Sequence, residues 1–213
     1  MKFKTKLIII LIIVILLCVI GYFARKVIIF NNYRLAQEKF SKIDNFYIRT
    51  VEENGMTDTF RGANKALIMN YNKYGSDTMI YTDEKESTTY STFDLGPMGV
   101  QKTAMVSPRY QDDDMLPILT DDSFVLKDFS EAFKAAFKYK ISNVNVDAFK
   151  CYEFKIDDHF SIYVNRKDYF KIREDNYSLV NTVTEYSIGS VTDEEIMKPS
   201  LEGFQIVSRD EKN

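Results

Sequence analysis

Side chains able to do chemistry are few in this 213-residue chain, and their spacing suits catalysis poorly. The one histidine, His159, follows Asp157-Asp158 between two apolar stretches, a hairpin-loop position. A zinc site needs more His or Cys than are present, since Cys18 and Cys151 are the only cysteines. A Ser–His–Asp triad built on a nucleophile elbow needs Gly-x-Ser-x-Gly, which is absent. Asp112-Asp113-Asp114 and Asp121-Asp122 are the densest carboxylates, and could bind a cation or share acid–base work. They lack EF-hand spacing and its fixed glycine, so a solvated loop around Pro108 and Pro117 is expected instead. No glycine-rich phosphate loop exists. The expectation is a protein with no catalytic residue, no metal site and no cofactor.

The remaining constellation is aromatic, with 16 Phe, 14 Tyr and no Trp. Phe129, Phe133 and Phe137 recur at i, i+4 and i+8, predicting an amphipathic helix over Asp128 to Lys140. Asp128 suits its cap, and Glu131 completes a capping-box-like pair. Phe154, Ile162, Val164, Phe170 and Ile172 alternate with polar residues, as on one face of a sheet. Such a set forms either an ordinary core or the lining of a cavity for an acyl chain. On the second reading the three helix phenylalanines are lid contacts and the five strand residues line the wall.

These residues must be positioned by the elements around them, and the first element sets the location. Leu7 to Ala24 is an 18-residue apolar run preceded by Lys2, Lys4 and Lys6 and followed by Arg25 and Lys26. As a helix it is roughly 27 Å long, close to bilayer hydrocarbon thickness. The positive-inside bias keeps the N-terminal tail in the cytoplasm, predicting a single-pass cell-membrane protein with its C-terminal domain extracytoplasmic. Tyr22 spoils an Ala-x-Ala-like cleavage site and Leu17 spoils a lipidation site at Cys18. An uncleaved signal anchor is therefore expected, ahead of cleavage or lipidation. Residues 27–213 carry 23 basic and 31 acidic residues, a net charge of −8, which disfavours nucleic acid as a partner.

Three regions follow: a cytoplasmic tail and anchor over 1–26, a helical stalk over 27–44, and a folded domain over 45–213. In the last, short β-rich stretches are divided by turn residues. Asn54-Gly55 predicts a type I′ hairpin between Phe46–Glu53 and Thr57–Arg61. From Tyr152 to Ile188 most of the strand-forming apolar or Thr positions, Val180, Thr182 and Thr184 among them, are even-numbered. Three-residue loops at 157–159 and 166–168 would keep those side chains on one face, pairing Asn165 with Tyr169. The fold class is α+β: a transmembrane helix, then a curved antiparallel sheet, or half-open barrel, with the Phe-rich helix covering its apolar face.

Two segments carry a resemblance. Tyr152 to Glu174, YEFKIDDHFSIYVNRKDYFKIRE, and Thr184 to Ile206, TEYSIGSVTDEEIMKPSLEGFQI, resemble the closing hairpin and final strand of the LolA-like superfamily of lipoprotein carriers. The resemblance implies a half-open barrel with a helical lid over a hydrophobic cavity. The chain departs from the family in lacking its turn-strand Trp, and an anchored protein cannot shuttle between membranes. The expected function is a membrane-anchored, non-catalytic binding module for an apolar ligand, a lipid or a lipoprotein acyl chain. The alternative is an envelope interaction or sensor protein with a filled core that docks another protein.

Overall fold

A computed structural model describes residues 3–108, 116–117, 119, 124–177 and 179–208. The carboxylates at 112–114 and 121–122 lie outside them. The fold is α+β, with one long apolar helix, a second short helix and a curved sheet that does not close. Helix α1 spans Phe3–Phe40 without interruption, 38 residues and about 57 Å at the usual helical rise. Among the described residues it is the one helix long and apolar enough to cross a membrane.

The sheet has twelve strands: β1 (Phe46–Glu52), β2 (Gly55–Arg61), β3 (Ala66–Asn72), β4 (Ser76–Thr82), β5 (Glu86–Asp94), β6 (Val100–Pro108), β7 (Lys140–Val146), β8 (Phe149–Lys155), β9 (Phe160–Asn165), β10 (Lys171–Asn176), β11 (Leu179–Ile188) and β12 (Gln205–Ser208). Helix α2, Phe129–Lys138, connects β6 to β7. In space the order is β12-β6-β5-β4-β3-β2-β1-β11-β10-β9-β8-β7, so β1 joins two meanders at the centre. All neighbours are antiparallel except β12, which lies parallel to β6.

Alternation along β1 sends its side chains to two separate cores. Phe46 and Ile48 join Ala36, Phe40, Cys151, Phe170 and Ile172 on the helix side. Tyr47 joins Phe60, Leu67, Tyr81, Tyr90 and Ala104 on the other, beneath Val191, Ile196, Leu201 and Phe204 of the segment before β12. The Tyr90 hydroxyl donates to the Pro199 carbonyl at 2.7 Å, fixing that segment over the strands. One half of the sheet is thus covered by helices and the other half, on its opposite face, by the irregular segment before β12.

Several expectations change. The first hairpin pairs Glu52 with Gly55, so Glu53-Asn54 form the turn, and neither has the positive φ that a type I′ turn needs. Gly55 is needed for another reason: a Cβ there would run into the Tyr71 carbonyl of β3. The loop after β9 holds four residues, because Asn165 N–H donates to Phe170 O at 2.8 Å and Tyr169 closes the turn at φ +63°. A bulge at Ile172 restores the even parity, leaving Ile162 opposite Glu174. Only two residues then separate Asn176 from Leu179, so Thr182 shares a face with Arg173 and Val183 turns inward. A second irregularity at Thr184, opposite Arg49/Thr50, returns Tyr186 and Ile188 to the inner side. The even-number rule therefore holds from 152 to 172 and at 186 and 188, and fails at Val180, Thr182 and Thr184. Strand β7 was not anticipated.

Candidate functional site

Helix α2 forms where capping and periodicity agree. The Asp128 carboxylate accepts from Glu131 N–H at 2.9 Å, and the Glu131 carboxylate accepts from Lys127 N–H at 2.7 Å, satisfying two donors at the helix start. Its alanines, Ala132, Ala135 and Ala136, are buried in a core with Phe30 and Tyr33 of α1 and Phe154, Ile162 and Val164 of the sheet. At about 100° per residue, that alanine flank lies roughly a quarter turn or more from the phenylalanine stripe. Small side chains let α2 approach closely, and they point the stripe elsewhere.

Two polar clamps hold α2 against α1. At its C-terminal end, the Lys26 ammonium donates to the Tyr139 carbonyl at 2.6 Å and lies 5.7 and 5.8 Å from the Tyr22 and Phe23 rings. Before its N-terminus, Gln37 brackets the chain, its amide donating to Phe124 O at 2.8 Å and its carbonyl accepting from Leu126 N–H at 3.2 Å. Tyr33 also donates to Phe124 O, at 3.2 Å. Because Gln37 grips the start of α2 and Lys26 its end, the helices run antiparallel and the C-terminal end of α2 points toward the apolar N-terminal part of α1.

The expected lid residues therefore face outward. Phe129, Phe133 and Phe137 are 56%, 46% and 53% exposed. Phe137 stacks on Phe23 with 4.6 Å between centroids and 16° between planes, and Phe133 lies 4.9 Å from Phe137. With Phe23, Ala24 and Val27 they line a shallow, open groove of about 660 Å³ whose every lining residue is apolar.

The five expected wall residues are placed on the inner face, at 0% exposure for Phe154, Ile162, Val164 and Ile172 and 4% for Phe170. Phe154 sits 4.6 Å from the Phe30 ring and 5.3 Å from Tyr33; Phe170 sits 5.4 Å from Phe40. The covering element is thus the C-terminal part of α1, read from sequence as a stalk, assisted by the alanine flank of α2. A cavity of about 140 Å³ lies between α1 and β1, β10 and β11, bordered by Gln37, Phe40, Ile48, Phe170 and Val183. Ligand pockets usually run from about 300 Å³ upward, so it is small for an acyl chain.

Polar candidates stand apart from this groove. His159 is exposed in its loop and stacks on Tyr177 at 5.4 Å. Cys151 is fully buried, and burial pushes its thiol up to about 11, which leaves it a small apolar packing group. The Tyr186 hydroxyl donates to Asp168 at 2.7 Å and accepts from Asn165 at 2.7 Å; burial first and Asp168 second hold it above the ordinary tyrosine range. Among the described residues no group of three or more His, Cys, Asp or Glu is arranged to hold a metal. Phe23, Val27 and Ile28 of α1 are not among the site residues expected from sequence. The signal that could have found them was the alanine flank of α2, since only one of its two apolar flanks can face the sheet.

No family model matches the chain, and no curated protein matches it significantly.

Proposed function

We propose that the protein is a single-pass, membrane-anchored extracytoplasmic binding module, without catalysis, for an apolar ligand with the chemistry of an acyl chain. The observation that carries this reading is the contrast in volume and lining. The groove between anchor and α2 offers about 660 Å³ with only apolar side chains, against about 140 Å³ beneath α1. The LolA-like resemblance implies a ligand within the barrel. Here Phe30, Tyr33 and Phe40 occupy the space against Phe154 and Phe170, and the apolar site moves outside, to Phe129, Phe133 and Phe137. The asymmetry of charge supports the orientation, with lysines before the apolar run and a net −8 beyond it.

The test is photolabelling of the full chain in nanodiscs with a phospholipid carrying a diazirine on one acyl chain. Labels on peptides containing Phe23, Val27 and Phe133 are expected. Labels concentrated on Ile48, Phe170 and Val183, or none above those on an anchor-only peptide, would refute the groove.

A second reading, docking of another envelope protein on a filled domain, is favoured by the close packing under α1. It predicts a protein crosslink through residues 129–137 in place of a lipid adduct.

A further inference from the structure

We infer that α2 is a second membrane contact, with Phe137, Phe133 and part of Phe129 lying among the acyl chains of the leaflet that adjoins the folded domain. This rests on the reading above that the anchor spans the bilayer and the groove accepts acyl chains. It names their source as the bilayer itself, reached sideways with no lipid extracted.

The geometry leaves little freedom. Phe23 belongs to the apolar run that ends at Ala24, and Phe137 stacks on it at 4.6 Å. If Phe23 is in hydrocarbon, so is Phe137. The groove meets α1 from Val19 to Ile28, and its stretch within the apolar run, Val19 to Ala24, covers about 8 Å along the helix axis, so α2 enters the leaflet end-on to about that depth. Two clamps, Lys26 to Tyr139 and Gln37 to Phe124 and Leu126, fix the direction of α2, so its C-terminal end is the deeper one.

Chemistry around the stripe agrees. Lys134 and Lys138 flank it and are exposed, with long stems that reach headgroups from a buried backbone level. Lys140, the first residue of β7, is also exposed, in a domain whose net charge is acidic. No polar residue lines the groove itself, whereas a water-borne protein interface carries a polar rim.

The chain has no tryptophan, so one introduced residue reports alone. The full chain is placed in nanodiscs of phosphatidylcholine and phosphatidylglycerol as Phe137→Trp, Phe133→Trp, Phe129→Trp or Leu35→Trp. Leu35 is an exposed control on α1, roughly 16 Å beyond Ala24. Expected are blue-shifted emission and loss of most fluorescence to acyl-brominated lipid at 137, less at 133, least at 129, and none at 35. Emission at 137 and 133 that is red-shifted and unquenched, like that at 35, would overturn the inference. So would blue-shifted emission that brominated lipid leaves unquenched, since a protein would then cover the stripe. If quenching fails while photolabelled lipid still marks Val27 and Phe133, the groove survives and its place in the leaflet does not; if both fail, the groove reading falls too.

Discussion

Phe154 and Phe133 belong to two stripes that look alike in sequence and lie in opposite surroundings. Phe154 has no exposed surface and touches two aromatic rings of α1, whereas Phe133 is 46% exposed on the outer flank of α2. Periodicity locates an apolar face; what that face meets depends on its competitors. The sheet wall was taken by α1, which presents Ile29, Phe30, Tyr33, Ala36 and Phe40 at helical spacing. Helix α2 then needed only alanines on its sheet side. Its phenylalanines became surface, as apolar as the anchor they adjoin.

Removing the competitor breaks this comparison most severely. A fragment beginning at Arg25 should unfold cooperatively in urea, whereas one beginning at Lys42 should show no cooperative transition. The missing segment supplies three buried aromatics, and fully buried aromatics contribute about 3–5 kcal/mol each against a typical total of about 5–15 kcal/mol. Point changes then sharpen it. Phe154→Ala should cost about 3–5 kcal/mol of urea stability in the Arg25 fragment. Phe133→Ser should stay within about 1 kcal/mol there, because it empties no cavity. Equal losses at both positions would erase the distinction between the stripes.

Smaller effects test the supports. Asp128→Ala removes the cap that orients the stripe and should cost about 1 kcal/mol, with faster amide exchange in the first turn of α2. In the alkaline range, Cys151 is pushed up to about 11 from 9.0, and Tyr47 and Tyr163 up to about 12 from 10.0, burial being the first cause for each. Folded values above the unfolded ones mean that the unfolded chain loses these protons first. Stability should thus be level with respect to these groups below about pH 9 and fall as pH rises toward 12, seen as a declining urea midpoint.

Much of the fold was legible because local signals agreed. Asp128 and Glu131 marked the start of α2, and alternation from Tyr152 to Ile172 marked an inner wall that is buried as expected. The boundary between anchor and stalk was misleading, since residues 27–40 carry polar groups at a spacing that suits a solvated helix equally well. Some of those groups are structural: Tyr33 and Gln37 hold the chain before α2, as Lys26 just ahead of them holds its end. Parity failed at Val180 to Thr184 because a two-residue turn and the irregularity opposite Arg49/Thr50 each shift the face by one residue. Neither has a composition that marks it. The site was legible as a set of phenylalanines but not as a location, which needed the position of α1.

Everything above depends on α1 being a single rigid helix shared by the bilayer and the core, since that places the groove at membrane depth. Hydrogen exchange of the full chain in nanodiscs tests this directly. Amides from Lys26 to Phe40 should exchange as slowly as those of β8 and β9, with no fast-exchanging break between Ala24 and Ile29. Rapid exchange across 27–40, characteristic of a solvated stalk, would contradict the account.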